Sequence, residues 1–228
     1  VEIGSIWRKP RCRTVESTSV AEPSRSWART AIRRACASVT SVDFTAFVLS
    51  HLAPPVARVL EVGCGQGQLA LALDALGYDV VAVDPVAPEG PIFRRIEIEE
   101  LVDSQPFDAA VASYSLHHVV DLDRVLDKLR VLLKPEGVLV VDEFGWDLID
   151  EATAGRYGVD LAEWDREHDD LHRFAELRNG LETRFVERHF TREPYFCRHT
   201  DADEDEERRL IETGEILPLG FRFVGRPR

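Results

Sequence analysis

The sequence predicts an α/β fold: a doubly wound, mostly parallel sheet with helices on both faces and an antiparallel strand pair at the C-terminal end. Three observations predict it. Strand-length apolar runs, "ARVLEV", "DVVAVD", "FDAAVAS" and "VLVVDEF", alternate with helical periodicity between residues 57 and 144. These runs are continuously apolar, as strands buried on both faces of a parallel sheet are. Gly63, Gly65 and Gly67 follow the first run directly, at the sheet edge where such folds bind ligands.

Residues 1–23 carry Pro10 and Pro23 and no periodic apolar face, so a disordered tail is expected there. Residues 24–228 are expected to form one domain. "SRSWARTAIRRACASV" (24–39) reads as a helix, and "SVDFTAFVLSHL" (41–52) as another that Ser41 or Asp43 can cap, ending at Ala53-Pro54-Pro55. "ARVLEV" (57–62) is the first strand. "QLALALDAL" reads as a helix closed by Gly77, a good residue just past a helix end. "DVVAVD" (79–84) is a second buried strand, "FRRIEI" a weaker third and "FDAAVAS" (107–113) a fourth.

The helix over 121–133 is the clearest element. Asp121 can cap it, and Leu122, Val125, Leu126, Leu129, Leu132 and Leu133 recur at helical spacing. Lys134-Pro135-Glu136-Gly137 is expected to turn the chain into "VLVVDEF" (138–144). Beyond it, 145–190 is charged and reads as one or two helices. "REPYFCR" (192–198) reads as a strand that "GFRFVGR" (220–226) would pair with, and "DADEDEERRLIETG" as a helix whose first turn attracts carboxylates.

Composition excludes several functions. A formal charge of −13 opposes a nucleic-acid partner, which needs a basic face to neutralise phosphates. Residues 1–40 do carry eight Arg or Lys against three Glu, but these are scattered and lack interleaved aromatics, so a basic RNA-binding arm is the less favoured reading. No apolar run approaches the roughly 18 residues of a membrane span, and the N-terminal stretch has no signal-peptide core. Cys12, Cys36, Cys64 and Cys197 are scattered, which suits free thiols in a cytoplasm. The chain opens on Val1 and contains no Met, as a GTG start read literally would give; arginine outnumbers lysine 25 to 3, as in a GC-rich genome.

Two families place a glycine loop after strand one and an acid at the end of strand two. The dinucleotide fingerprint G-x-G-x-x-G would need a third glycine where Gln68 stands, which disfavours an NAD(P)-dependent oxidoreductase. "LEVGCGQGQLA" instead resembles the first motif of class I S-adenosylmethionine-dependent methyltransferases, an acid followed by G-x-G-x-G on a Rossmann-like sheet. The resemblance runs over residues 40–145, and more loosely to the end. It implies that Glu61, Gly63, Gly65 and Gly67 meet the amino-acid part of S-adenosylmethionine and that Asp84 meets the ribose hydroxyls. It implies further that Glu97, Ile98 and Ser113 line the cofactor site, with Glu97 standing where an aspartate is usual. A non-catalytic cofactor-binding scaffold is the other alternative, although the chain has lost neither the loop nor the acid.

Methyl transfer needs alignment and, for some acceptors, a base. The resemblance implies a small-molecule acceptor, and His117-His118 matches a histidine pair common in such enzymes. "HDDLH" places His168 and His172 at i, i+4 on one predicted helical face within a substrate-side insertion, 145–195. The four histidines are the candidate bases or acceptor-pocket residues. Asp169 replaces the glutamate of a zinc H-E-x-x-H helix and no third ligand is evident, so no metal is expected.

Overall fold

The computed structural model describes residues 42–228. The expected tail, the 24–39 helix and a cap by Ser41 or Asp43 lie outside the described side chains. Helix α1 (Val42–His51) leads to β1 (Arg58–Val62), then α2 (Gln68–Ala75), β2 (Asp79–Val83) and β3 (Phe93–Arg94). Next come β4 (Phe107–Ser113), α3 (Leu122–Leu132) and β5 (Leu133–Phe144). Three helices follow, α4 (Glu151–Tyr157), α5 (Leu161–His168) and α6 (Phe174–Arg184), and then β6 (Phe185–Glu193). The short α7 (Phe196–His199) and α8 (Glu204–Glu212) precede the last strand, β7 (Gly220–Pro227).

Among the described residues, seven strands form one sheet in the order β3-β2-β1-β4-β5-β7-β6. The first five are parallel, and β7 runs antiparallel to both β5 and β6. Each face buries its own apolar layer. On one, α1 and α2 cover Val59, Val80, Val111 and Val140. On the other, Leu122, Val125, Leu126 and Leu129 of α3 meet Leu177 and Leu181 of α6 over Leu60, Val81 and Leu139. Each such side chain contributes about 1.5–3 kcal/mol when fully buried. Gly180 lets α6 lie against α3, because a Cβ there would sit 2.8 Å from Leu126 Cδ1.

Caps follow the local chemistry. Asp121 accepts the Arg124 amide at the start of α3, and Asp203 accepts that of Glu206 at the start of α8. Gly77, at φ 89°, closes α2, with Tyr78 N–H donating back to Leu73 O.

Four expectations need correction. Lys134–Gly137 is not a turn but the bulged start of β5: Leu133 pairs Phe107, and the register shifts before Ala109 pairs Val138. "FRRIEI" supplies only the two residues of β3, and the chain then tightens into a 3₁₀ turn at Ile98–Glu100. Three helices, not one or two, fill the segment after β5. The strand expected at 192–198 lies at 185–193 instead, because Pro194 lacks a ladder donor and the Glu207 carboxylate winds 196–199 into α7. Residues 185–193, counted with the insertion, therefore belong to the sheet.

Candidate active site

The glycine loop sits on the carboxyl ends of β1 and β2. Gly63, Gly65 and Gly67 all have positive φ, 70°, 55° and 78°, a conformation open to glycine at little cost. The Gly63 and Cys64 amides donate to Val83 O, and Gly65 N–H donates to Asp84 Oδ2 at 2.9 Å. Asp84 Oδ1 accepts Val86 N–H at 2.9 Å, so this buried carboxylate braces the loop as well as facing the site. Two of the glycines are also dictated by protein neighbours. A Cβ at Gly63 would lie 2.3 Å from Ser115 Cβ, and one at Gly67 would lie 2.4 Å from the Phe93 ring.

Glu61 is 6% exposed, and its Oε2 has no hydrogen-bond partner. Burial pushes its carboxyl up to about 8; the Ala70 amide opposes this and the neighbouring Asp84 adds to it. Ile98 is fully buried in the α3-side core, which leaves only its backbone to meet a ligand. Glu97 begins the 3₁₀ turn and Ser113 ends β4, half-buried at the sheet edge.

The ends of β4 and β5 carry a second constellation. Tyr114 follows β4 with φ 47°, the single positive φ among the described non-glycine residues, and the chain turns into a 3₁₀ turn at Leu116–His118. Glu143 of β5, fully buried, accepts the Ser115 and Leu116 amides at 2.7 and 2.6 Å through Oε1. Its Oε2 lies 2.5 Å from His117 Nδ1. With Nδ1–H donating to the carboxylate, the imidazole is fixed in the tautomer that carries its lone pair on Nε2. The His118 ring lies 4.1 Å from that of His117.

The histidines of the insertion divide. α5 ends at His168, so the expected single helical face does not form. His168 stacks on Trp164 at 4.1 Å, with Nδ1 2.7 Å from Trp164 O, and burial lowers its pKa. His172 leaves the helix: its amide donates to His117 O, and its Nε2 lies 2.8 Å from Val119 O. It ties the insertion to the 3₁₀ turn. Trp146 and Trp164 are buried, and both indole N–H groups are used on backbone carbonyls.

Sequence reasoning passed over the residues that organise this side. The Glu207 carboxylate is 1% exposed and accepts the amides of Tyr195, Phe196 and Cys197, which fixes the start of α7. Arg198 of α7 then reaches Asp142 of β5 at 2.7 Å and the Tyr114 hydroxyl at 3.3 Å. Burial pushes Asp142 up to about 6 despite Arg198 and Arg222. His199 stacks on Tyr195 at 4.4 Å and meets Tyr114 edge-on at 5.1 Å. Burial, aided by the positive charge of Arg198, pushes its pKa down to about 4, so it is neutral at physiological pH. An acid inside an otherwise apolar strand, as in "VLVVDEF", was the available signal for Asp142 and Glu143; Glu207 was hidden among acids that solvate a helix start.

The strand order, the reversed β7 and the loop place the chain among known proteins. A profile described as a methyltransferase domain matches residues 27–193. The chain belongs to this family. It is a methyltransferase domain, on a fold that solved S-adenosylmethionine-dependent methyltransferases share. A mouse protein named arginine-hydroxylase NDUFAF5, mitochondrial, is 34% identical over 119 residues, which is 47% of this chain and 34% of that protein. A ubiquinone biosynthesis O-methyltransferase of Xanthomonas campestris is 37% identical over 109 residues, 41% of this chain and 45% of the relative. The chain thus spans less than half the length of these curated relatives. The fold matches an S-adenosylmethionine dependent methyltransferase from Mesorhizobium loti at 20% identity and TM-score 0.56, covering 81% of this chain and 96% of that one. It also matches the N-methyltransferase NodS from Bradyrhizobium japonicum bound to S-adenosylhomocysteine, at 13% identity and TM-score 0.51, over 87% and 97% of the two chains.

The residues of this methyltransferase domain fit S-adenosylmethionine. Glu61 offers a buried carboxyl oxygen without a partner where the amino-acid arm would lie, and Asp84 a buried carboxylate for hydroxyls. The first turn of α2 adds amides for a carboxylate.

Proposed function

We propose that the protein methylates a hydroxyl group of a small-molecule acceptor, with His117 as general base. One observation carries the reading. The His117–Glu143 pair stands at the ends of β4 and β5, beside the glycine loop, with its imidazole oriented by a fully buried carboxylate. Bound S-adenosylmethionine supplies an activated methyl group, and the protein supplies alignment and removal of the acceptor's proton. Glu143 holds Nδ1–H and stabilises the imidazolium formed when Nε2 takes that proton. The rings of Tyr114, Tyr195 and His199 pack together beside His117, and burial lowers the pKa of His168 and His199, surroundings that suit an acceptor with an apolar body and a polar handle. The O-methyltransferase named among the relatives supports a hydroxyl acceptor.

A search for products labelled from isotopic S-adenosylmethionine in cell extract tests the reading. The result expected is a product heavier than its precursor by one labelled methyl group, carried as an ether. With that acceptor, His117→Ala should lower kcat by about 10²–10⁴-fold, the range of a general base, and the loss should shrink as pH rises and the acceptor ionises unaided. Oxygen incorporation without methyl label would favour the hydroxylase chemistry for which the mouse relative is named.

A further inference from the structure

We propose that the Tyr114 hydroxyl and the His199 imidazole form a specificity subsite for an uncharged oxygen of the acceptor, a carbonyl or hydroxyl distinct from the atom that is methylated. The inference deepens the small-molecule methyl-transfer reading and rests on it.

Three observations carry it. The first is backbone strain. Tyr114 leaves β4 at φ 47°, the single positive φ among the described non-glycine residues. A bulky side chain keeps that conformation only where its surroundings hold it, and such strain gathers at ligand sites. The turn delivers the Tyr114 ring edge-on to the His117 ring, at 6.5 Å between centroids.

The second is a proton left to give. The Tyr114 oxygen accepts Arg198 Nη1–H at 3.3 Å. Its own O–H remains a donor, and among the described residues no group accepts it. The third is an unpaired nitrogen: His199 Nε2 is buried without a hydrogen-bond partner. Its ring meets Tyr114 edge-on at 5.1 Å and stacks on Tyr195 at 4.4 Å. Tyr195 stacks on Phe144 at 4.6 Å, and Phe144 meets the His117 ring at 4.9 Å. Both polar groups thus belong to one aromatic wall that ends on His117. Leaving such groups without partners costs stability, so a chain that keeps two of them beside a base keeps them for a ligand.

The chemistry of the wall selects the occupant. Tyr114 O–H needs an acceptor, which an oxygen supplies. His199 is neutral at physiological pH, so it adds a hydrogen bond and no charge. Its Nε2 donates to a carbonyl or accepts from a hydroxyl, according to tautomer. The Arg198 guanidinium is engaged by Asp142 at 2.7 Å, with Glu193 at 3.8 Å, and polarises Tyr114 rather than pairing a ligand anion. An acceptor held at this oxygen, with the proton to be lost facing His117, is fixed at two points and aligned for transfer.

The experiment has two readouts. The first uses the protein alone. Tyr114→Phe keeps the ring, removes the hydroxyl and leaves Arg198 on Asp142. Its Tm by scanning calorimetry should stay within about 4 °C of wild type. A larger fall would make the hydroxyl structural and overturn the inference. The second uses the product that methyl-labelled S-adenosylmethionine yields in cell extract. That product should carry an uncharged oxygen besides the methylated atom. Toward its precursor, Tyr114→Phe and His199→Phe should each raise acceptor KM about 3–10-fold, with kcat and S-adenosylhomocysteine affinity within about twofold. Toward the deoxy analogue, in which hydrogen replaces that oxygen, wild type and both variants should share one KM. A product without such an oxygen, as when the pair holds only an ordered water, would overturn the subsite. So would an equal loss toward precursor and deoxy analogue. A methyl found on nitrogen or sulfur would refute the hydroxyl acceptor and leave this subsite standing on its oxygen.

Discussion

The two halves of the site are built from different materials. On the cofactor side, β1, β2 and their loops shape the cradle from backbone: three positive-φ glycines, amides turned onto Asp84, and little room for any other residue. On the acceptor side, the segment after β5 is held by buried side-chain charge. Glu207 gathers three amides, Asp142 anchors Arg198, and Glu143 carries the 3₁₀ turn and His117. A backbone cradle tolerates almost no substitution but has a recognisable spacing. A scaffold of buried carboxylates can be placed anywhere in the chain, provided each one finds its donors. One half is therefore a motif and the other an arrangement.

Breaking the acceptor-side scaffold should give the largest effect. Glu207→Ala leaves three amides without an acceptor and should cost about 3–9 kcal/mol in urea unfolding, at roughly 1–3 kcal/mol for each unsatisfied group. Cofactor affinity, measured by calorimetry on the fraction still folded, should stay within about twofold. An equal loss on both sides would show that the two halves are one cooperative unit.

Gly63→Ala attacks the other half. It adds a Cβ 2.3 Å from Ser115 Cβ at φ 70°. Overpacking and left-handed strain together should cost about 2–4 kcal/mol, seen as a lowered Tm, with cofactor affinity falling in step. A variant that binds S-adenosylhomocysteine normally would refute a backbone-built cradle.

A smaller effect follows from Glu61 in the free protein. Burial raises its folded pKa to about 8, above the 4.5 of an ordinary exposed carboxyl, so the unfolded chain ionises first. Its contribution to stability is full below the unfolded value and is lost as pH rises through the folded one. Glu61→Gln should therefore have a Tm close to wild type at pH 5 and several degrees above it at pH 8, by scanning calorimetry. A constant difference between the two variants across that range would remove Glu61 as the titrating group.

The smallest effect separates the two insertion histidines. His172 is 24% exposed in its side chain and ties backbone to backbone, so His172→Ala should cost about 1 kcal/mol of stability with acceptor KM and kcat little changed. His168→Ala should instead raise acceptor KM. A reversal of the pair would place the acceptor nearer α6 than α5.

How much could be read in advance divides along the same line. The glycine spacing, the acid ending "DVVAVD" and the leucine rhythm of α3 are local patterns, and each fell where the structure has it. Lys134–Gly137 misled because Pro and Gly there mark a bulge, which sequence alone does not distinguish from a turn. "REPYFCR" misled because α7 depends on a carboxylate ten residues further on, and no local propensity encodes it. Glu143 and Asp142 stood in plain view within a buried strand; their partners were scattered over 114–117, 198 and 222. Long-range polar pairing is the part that pattern cannot reach.

Ser115 has a consequence for reprogramming the enzyme. Its Cβ closes on Gly63, its Oγ donates to Val62 O at 3.0 Å, and its amide rests on Glu143, which also grips His117. The donor pocket and the proposed base share this one fulcrum. Efforts to admit cofactor analogues with bulkier transferable groups by loosening the glycine loop would swing His117 at the same time. Variants with an expanded donor range should arise as compensated pairs, one change at the loop and another at 115 or 143, rather than as single substitutions.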